Sequence, residues 1–135
     1  MSWEPRPLPE VTPETAPFWE GAERGELRLC ECTNCGLVYY YPRSRCPDCF
    51  GEAKWVSADG SGTLYSYTVS HQIEGWPDEA LPVIVGYVEL AEGPRLVSTI
   101  VDCEPETVSV GMDLSVGFQS TNTDGIGIPV FVPDP

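Results

Sequence analysis

Cys32-Thr33-Asn34-Cys35-Gly36 and Cys46-Pro47-Asp48-Cys49-Phe50-Gly51 set two CxxC pairs with ten residues between them. Two thiolates three positions apart in a tight turn point at one cation, and the backbone N–H groups of the turn spread their charge. A glycine after the second thiolate, as at Gly36, permits the positive φ such a turn needs. Two such turns make a closed four-thiolate site, suited to a structural metal with metal–sulfur distances of about 2.3 Å. The spacing predicts Cys32, Cys35, Cys46 and Cys49 as ligands of structural zinc. Iron fits the same sulfur tetrahedron, so spacing alone leaves it open. Two disulfides would need an oxidising compartment, and a single redox CxxC would leave the second pair without a role. A closed site has no open coordination position, so it builds architecture and does not catalyse.

Other chemistry is sparse. Cys30 and Cys103 have no base beside them in sequence and are expected as buried, inert thiols. His71 is the only histidine and is expected as a satisfied structural residue. No GxSxG turn, phosphate-binding glycine loop or HExxH pair occurs. The carboxylates are dispersed, as on a solvated acidic surface. Catalysis by this chain alone is therefore not expected.

The elements that must position the cysteines fall into three segments. Residues 1–29 read as a proline-rich arm and a helix, with Thr12 as N-cap, Pro13 in the first position and an end near Gly25. Phe18 and Trp19 are its docking residues, either on the chain's own core or on a partner protein. Residues 30–55 form the ribbon, with strands over 37–41 and 54–56 leaving the two turns. Residues 56–135 alternate as strands over 63–73, 82–91, 95–103, about 112–118 and 128–132, with one helical turn over 104–107. In the first of these, Tyr65, Tyr67, Val69, His71 and Ile73 share a face. Five strands, interrupted between the third and fourth, predict an OB-type barrel; a sandwich needs about seven. The predicted fold is mainly β: a short N-terminal helical segment, a four-cysteine zinc ribbon and a C-terminal five-stranded OB-type barrel.

Composition agrees. In 135 residues, 14 prolines and 13 glycines exclude a helical bundle, while 41% hydrophobic residues suffice for a core. Seven basic residues against 21 acidic ones give a net charge of −14, which opposes a nucleic-acid binder working through a broad basic surface. The loops that usually bind ligands in OB barrels carry Glu74, Asp78 and Glu79 beside Trp76, and no cation over 120–124. Residues 24–55 alone balance to +1, with Arg43 and Arg45 in the loop between the CxxC pairs. No apolar stretch approaches the ~20 residues of a membrane span. The N-terminus, neither basic nor followed by an apolar stretch, predicts no signal peptide and hence a cytoplasmic protein.

The ordered set of motifs resembles the acyl-CoA-associated OB-fold family long filed as a domain of unknown function, "DUF thirty-five". The resemblance runs through Pro17-Phe18-Trp19-Glu20, the two CxxC pairs, Gly60-x-Gly62-Thr63-Leu64-Tyr65-Ser66-Tyr67, Gly86-Tyr87-Val88-Glu89-Leu90, Gly93-Pro94-Arg95-Leu96, Val110-Gly111-Met112 and Ile128-Pro129-Val130-Phe131. It implies a rubredoxin-like zinc ribbon and an OB fold. It also implies a non-catalytic partner of a thiolase-like enzyme: a thiolase, a hydroxymethylglutaryl-CoA synthase, or a lipid-transfer-protein-type thiolase or aldolase acting on steroid side-chain CoA esters. A MaoC-like hydratase is a second implied partner, and acyl-CoA the shared ligand. Arg43 and Arg45 are the candidate contacts to the CoA phosphates, which need cations. The alternatives are a single-stranded nucleic-acid-binding ribbon and barrel, and an iron electron carrier.

Overall fold

The alternating apolar segments resolve into one α-helix, two short 3-10 helices and eight strands in the computed structural model, which describes residues 3–134. Residues 1 and 2 of the predicted arm, on which the expected lack of a signal peptide partly rests, and residue 135 of the predicted barrel segment lie outside the described residues.

The helix α1 spans Ala16–Glu23, with Thr15 rather than Thr12 as its N-cap. Thr12 instead forms a preceding turn. Its carbonyl accepts the N–H groups of Thr15 and Ala16 at 3.0 and 2.8 Å, and its hydroxyl lies 3.1 Å from that of Thr15. Pro17 sits in the first turn, where its missing N–H removes no helical hydrogen bond. Gly25, at φ 80°, ends the segment as expected.

The ribbon is a three-stranded sheet in which β1 (Arg28–Cys32) lies between β2 (Val38–Tyr39) and β3 (Ala53–Ser57). The central strand buries Leu29, Cys30 and Cys32. The strand expected over 37–41 shortens to two residues because Tyr40 leaves the sheet to pack on Phe18, with ring centroids 5.5 Å apart.

Strands β4 (Ser61–Ser70), β5 (Val83–Leu90), β6 (Arg95–Ile100), β7 (Asp113–Ser120) and β8 (Gly127–Pro133) close into a barrel in the order β4-β5-β6-β8-β7. This is the expected OB-type barrel, with a short 3-10 helix at Pro105–Thr107 interrupting the third and fourth strands. Leu64, Val88, Leu114 and Phe131 fill its interior at 0% exposure. The predicted face of β4 is only half right. The β4–β5 register shifts between Leu64 and Ser66, so Tyr65 is the extra residue of a bulge and stays exposed. Tyr67 and Val69 then oppose Gly86 and Ile84. His71 lies beyond the end of β4 and is exposed, not a packed structural histidine, because the strand stops at Ser70. Cys30 is buried as expected; Cys103 is only half-buried, since β6 ends at Ile100 and leaves it in the following loop.

One apolar cluster joins the helix, the start of the ribbon and the barrel through Phe18, Trp19, Leu27, Leu29 and Phe131. The helix lies so close to β8 that a Cβ on Gly127 would come within 2.4 Å of the Glu23 backbone nitrogen. The arm is also tied down. The Trp3 N–H donates to the Ser120 carbonyl at 2.9 Å, and the Glu4 carboxylate accepts the Asn122 N–H at 3.0 Å.

Candidate functional site

The two CxxC turns bring the four predicted ligands together. The sulfurs of Cys32, Cys35, Cys46 and Cys49 all lie within 4.8 Å of one another. Two cross-turn pairs are closer, Cys32–Cys49 at 3.5 Å and Cys35–Cys46 at 3.7 Å. A tetrahedron with metal–sulfur bonds of about 2.3 Å has sulfur–sulfur edges of about 3.8 Å, so the cluster has the size of a four-thiolate metal site. The backbone supports charge on these sulfurs. N–H groups of Asn34 and Cys35 donate to Cys32 Sγ at 3.3 and 3.4 Å, and Asp48 donates to Cys46 Sγ at 3.3 Å. Gly36 takes φ 78° behind the first turn, as expected. Behind the second turn Phe50 takes the positive φ, 65°, a signal the sequence did not give. Gly51 follows because a Cβ there would lie 2.9 Å from Cys32 Sγ.

Cys32 and Cys35 are driven in opposite directions by the same cluster. The N–H of Cys35 pulls Cys32 down to about 6, against burial. Cys35 is pushed up to about 12: the Leu37 N–H favours its thiolate, but the neighbouring sulfurs and burial outweigh it. A divalent metal is what allows all four to be thiolates at once, and binding it stabilises the ribbon. These residues fit a zinc-ribbon site. What the metal supplies there is a fixed point joining the two turns.

Arg43 and Arg45 are exposed on the loop between the turns, and neither forms an ion pair among the described residues. The loop is held from beneath, where the Tyr39 hydroxyl donates to the Arg43 carbonyl at 2.8 Å. The Arg45 guanidinium stands 5.7 Å from the ring of Phe50, itself 74% exposed.

Phe18 and Trp19 are not offered outward as a partner anchor would be. They are 2% and 9% exposed and pack edge to face on each other in the chain's own core. The loops between β4 and β5 and between β7 and β8, where OB barrels usually hold ligands, are covered by the arm. Trp3 meets Trp76 edge-on at 5.4 Å, and Glu4 occupies the Asn122 N–H. A nucleic-acid strand would have to displace these contacts without a cationic groove to favour it.

Sequence reasoning missed an apolar groove of about 420 Å³ between α1, the arm and the barrel. It exists because β6 and β8 share one ladder pair, the parallel Ile100↔Phe131, so the wall opens beyond it. Ser98 Oγ bridges the gap to the Pro129 carbonyl at 3.0 Å. Pro129, with no N–H to donate, was the available signal.

Comparison with known proteins adds identity to this geometry. Residues 19–54 match the ChsH2 rubredoxin-like zinc ribbon domain, and residues 55–119 match the ChsH2 C-terminal OB-fold domain. A DUF35 domain-containing scaffold protein of Methanocaldococcus jannaschii is 35% identical over 76% of this chain and 74% of its own length. A probable enoyl-CoA hydratase alpha subunit of Thermomonospora curvata is 33% identical over 95% of this chain but only 40% of its own length. The benzoylsuccinyl-CoA thiolase subunit BbsA of Thauera aromatica is 29% identical over 74% of this chain and 69% of its own length. A solved chain of the Ltp2-ChsH2(DUF35) aldolase superposes with a TM-score of 0.82 at 31% identity, covering 93% of this chain and 98% of that one.

Proposed function

Since the chain belongs to the DUF35 family of ChsH2-type zinc-ribbon and OB-fold proteins, we propose that it is a non-catalytic accessory subunit of a thiolase-like enzyme acting on acyl-CoA. The observation that carries this reading is the near end-to-end match to a chain of the Ltp2-ChsH2(DUF35) aldolase. The relatives' names agree in kind, being a scaffold protein and subunits of acyl-CoA enzymes. The ribbon is held rigid by its two turns, and the barrel, with the arm folded over the usual ligand loops, presents a preformed surface to the partner.

In this role the chain orders the complex and helps to hold or pass the acyl-CoA. Arg43 and Arg45, exposed and without ion-pair partners among the described residues, are the groups on the ribbon placed to meet CoA phosphates. Steroid side-chain CoA esters are one substrate class that fits, and a MaoC-like hydratase fits as a further neighbour. No described helix is long and apolar enough to cross a membrane; we place the protein in the cytoplasm, where the thiols of the ribbon stay reduced for metal.

The test is affinity capture of the tagged chain from its own host at moderate salt, with mass spectrometry of what is retained. A thiolase-fold protein in fixed ratio is expected. Recovery of the chain alone, or with nucleic acid, would overturn the reading.

A further inference from the structure

A cleft of about 650 Å³ opens between the ribbon and the β5–β6 hairpin, lined by Leu37, Val38, Tyr40, Tyr87, Glu92 and Pro94. It contains none of the four clustered cysteines and neither Arg43 nor Arg45. One wall is a sheet edge, since β2 pairs with β1 on one side and with no strand on the other. The Cys32 N–H donates to the Leu37 carbonyl at 2.8 Å, so the next pair of this antiparallel ladder, Glu31↔Val38, is not hydrogen-bonded. The Val38 N–H and carbonyl therefore point away from β1, and neither bonds to another group among the described residues. Leu37 on the ribbon and Tyr87 on the barrel are both exposed at the cleft. Glu92 adds charge. Its Oε2 accepts the Asp59 N–H at 2.9 Å, but its Oε1 is shut from water without a hydrogen-bond partner, which is costly for a carboxylate. No cation among the described residues pairs with Glu92; Arg95, on the same wall, is held by Glu89 at 3.0 Å.

We propose that this cleft seats an extended, basic segment of a partner protein. The segment pairs as a further strand on the free edge of β2 at Val38, lays an apolar side chain against Leu37, Tyr87 and Pro94, and brings a lysine or arginine to Glu92. An outward N–H and carbonyl on one edge residue match another extended backbone. The net charge of −14 favours a cationic occupant and opposes a nucleic-acid strand. That the segment comes from a thiolase-like enzyme rests on the proposed accessory role; the chemistry of the cleft does not.

The experiment is isothermal titration of the full chain with a short capped peptide of alternating lysine and valine. Its acidic counterpart of glutamate and valine is the charge control. A lysine–valine copy with N-methylated backbone amides keeps the charge and loses the ladder donors. The unmodified lysine–valine peptide is expected to bind, with the other two weaker by about tenfold or more. Hydrogen exchange at the Val38 amide should slow when it binds. Glu92→Gln keeps an oxygen for the Asp59 N–H and should weaken binding by about tenfold, the scale of a lost hydrogen bond to a charged group. Glu79→Gln makes the same change in net charge on the exposed loop between β4 and β5 and should leave affinity unchanged. No binding of the lysine–valine peptide at millimolar concentration would overturn the proposal. So would equal binding of the N-methylated copy, unchanged exchange at Val38, or equal losses in the two variants, each of which would reduce the effect to attraction by net charge. Affinity capture from the host is run alongside. A captured thiolase-fold enzyme with no peptide binding counts against the cleft alone, and peptide binding with no captured enzyme counts against the accessory role alone.

Discussion

Cys32 and Cys49 stand on different turns, yet their sulfurs lie 3.5 Å apart. That contact closes a loop which the three-stranded ribbon sheet, one of whose strands has only two residues, is too small to hold shut by its own core. The metal site and the ribbon fold are therefore the same structure seen from two sides.

Metal analysis of the purified chain should find a single zinc, and the protein should be colourless. Cys46→Ser should lose the metal and melt β1–β3, read by circular dichroism. Binding of this kind supplies about 10–16 kcal/mol of apparent folding free energy, comparable with the whole stability of a domain. A red, reducible protein would assign the site to iron.

Gly127→Ala should loosen α1 from the barrel. Its new Cβ would meet the Ala22 carbonyl carbon at 2.5 Å and the Glu23 nitrogen at 2.4 Å, and backbone cannot rotate away as a side chain can. A destabilisation of about 1–3 kcal/mol is expected in chemical denaturation. Gly125→Ala, with nothing within 4 Å and only its φ of 84° to strain, should cost less.

Phe18→Ala should cost about 3–5 kcal/mol, the range for deleting a buried phenylalanine. Phe18 is 2% exposed and touches both Trp19 and Tyr40, so its loss opens the joint between helix and ribbon. An unchanged denaturation midpoint would show that this joint contributes nothing to stability.

Arg43→Glu with Arg45→Glu should leave the fold and metal content intact, because both side chains are exposed. The assembled complex should bind its CoA ester more weakly, most clearly at low ionic strength where exposed charges act furthest. Equal affinity for the double variant and the parent would remove these arginines from the CoA contact.

The metal cluster and the five barrel strands were legible because each is written locally: CxxC pairs set their own turns, and alternating residues set their own strands. What escaped the sequence depended on long-range contacts. The bulge at Tyr65 is a mismatch between β4 and β5, invisible in either strand alone. The late start of α1 follows from Thr12 bonding to Thr15 in a turn, where propensity favoured a cap. By sequence Phe18 and Trp19 suit the chain's own core, with a partner contact as the alternative, and their burial rests on α1 meeting β8, far away in the chain. The arm's seat across the ligand loops rests on Trp3 meeting Trp76 and Glu4 meeting Asn122, pairs far apart in the chain.

The most direct test of the central claim is acyl-CoA turnover by the captured complex, by its thiolase-fold component alone and by this chain alone. The accessory role predicts no turnover by the chain alone, and turnover by the complex that falls when the chain is removed and returns when it is added back. Turnover by the isolated chain, or a partner indifferent to its removal, would contradict it.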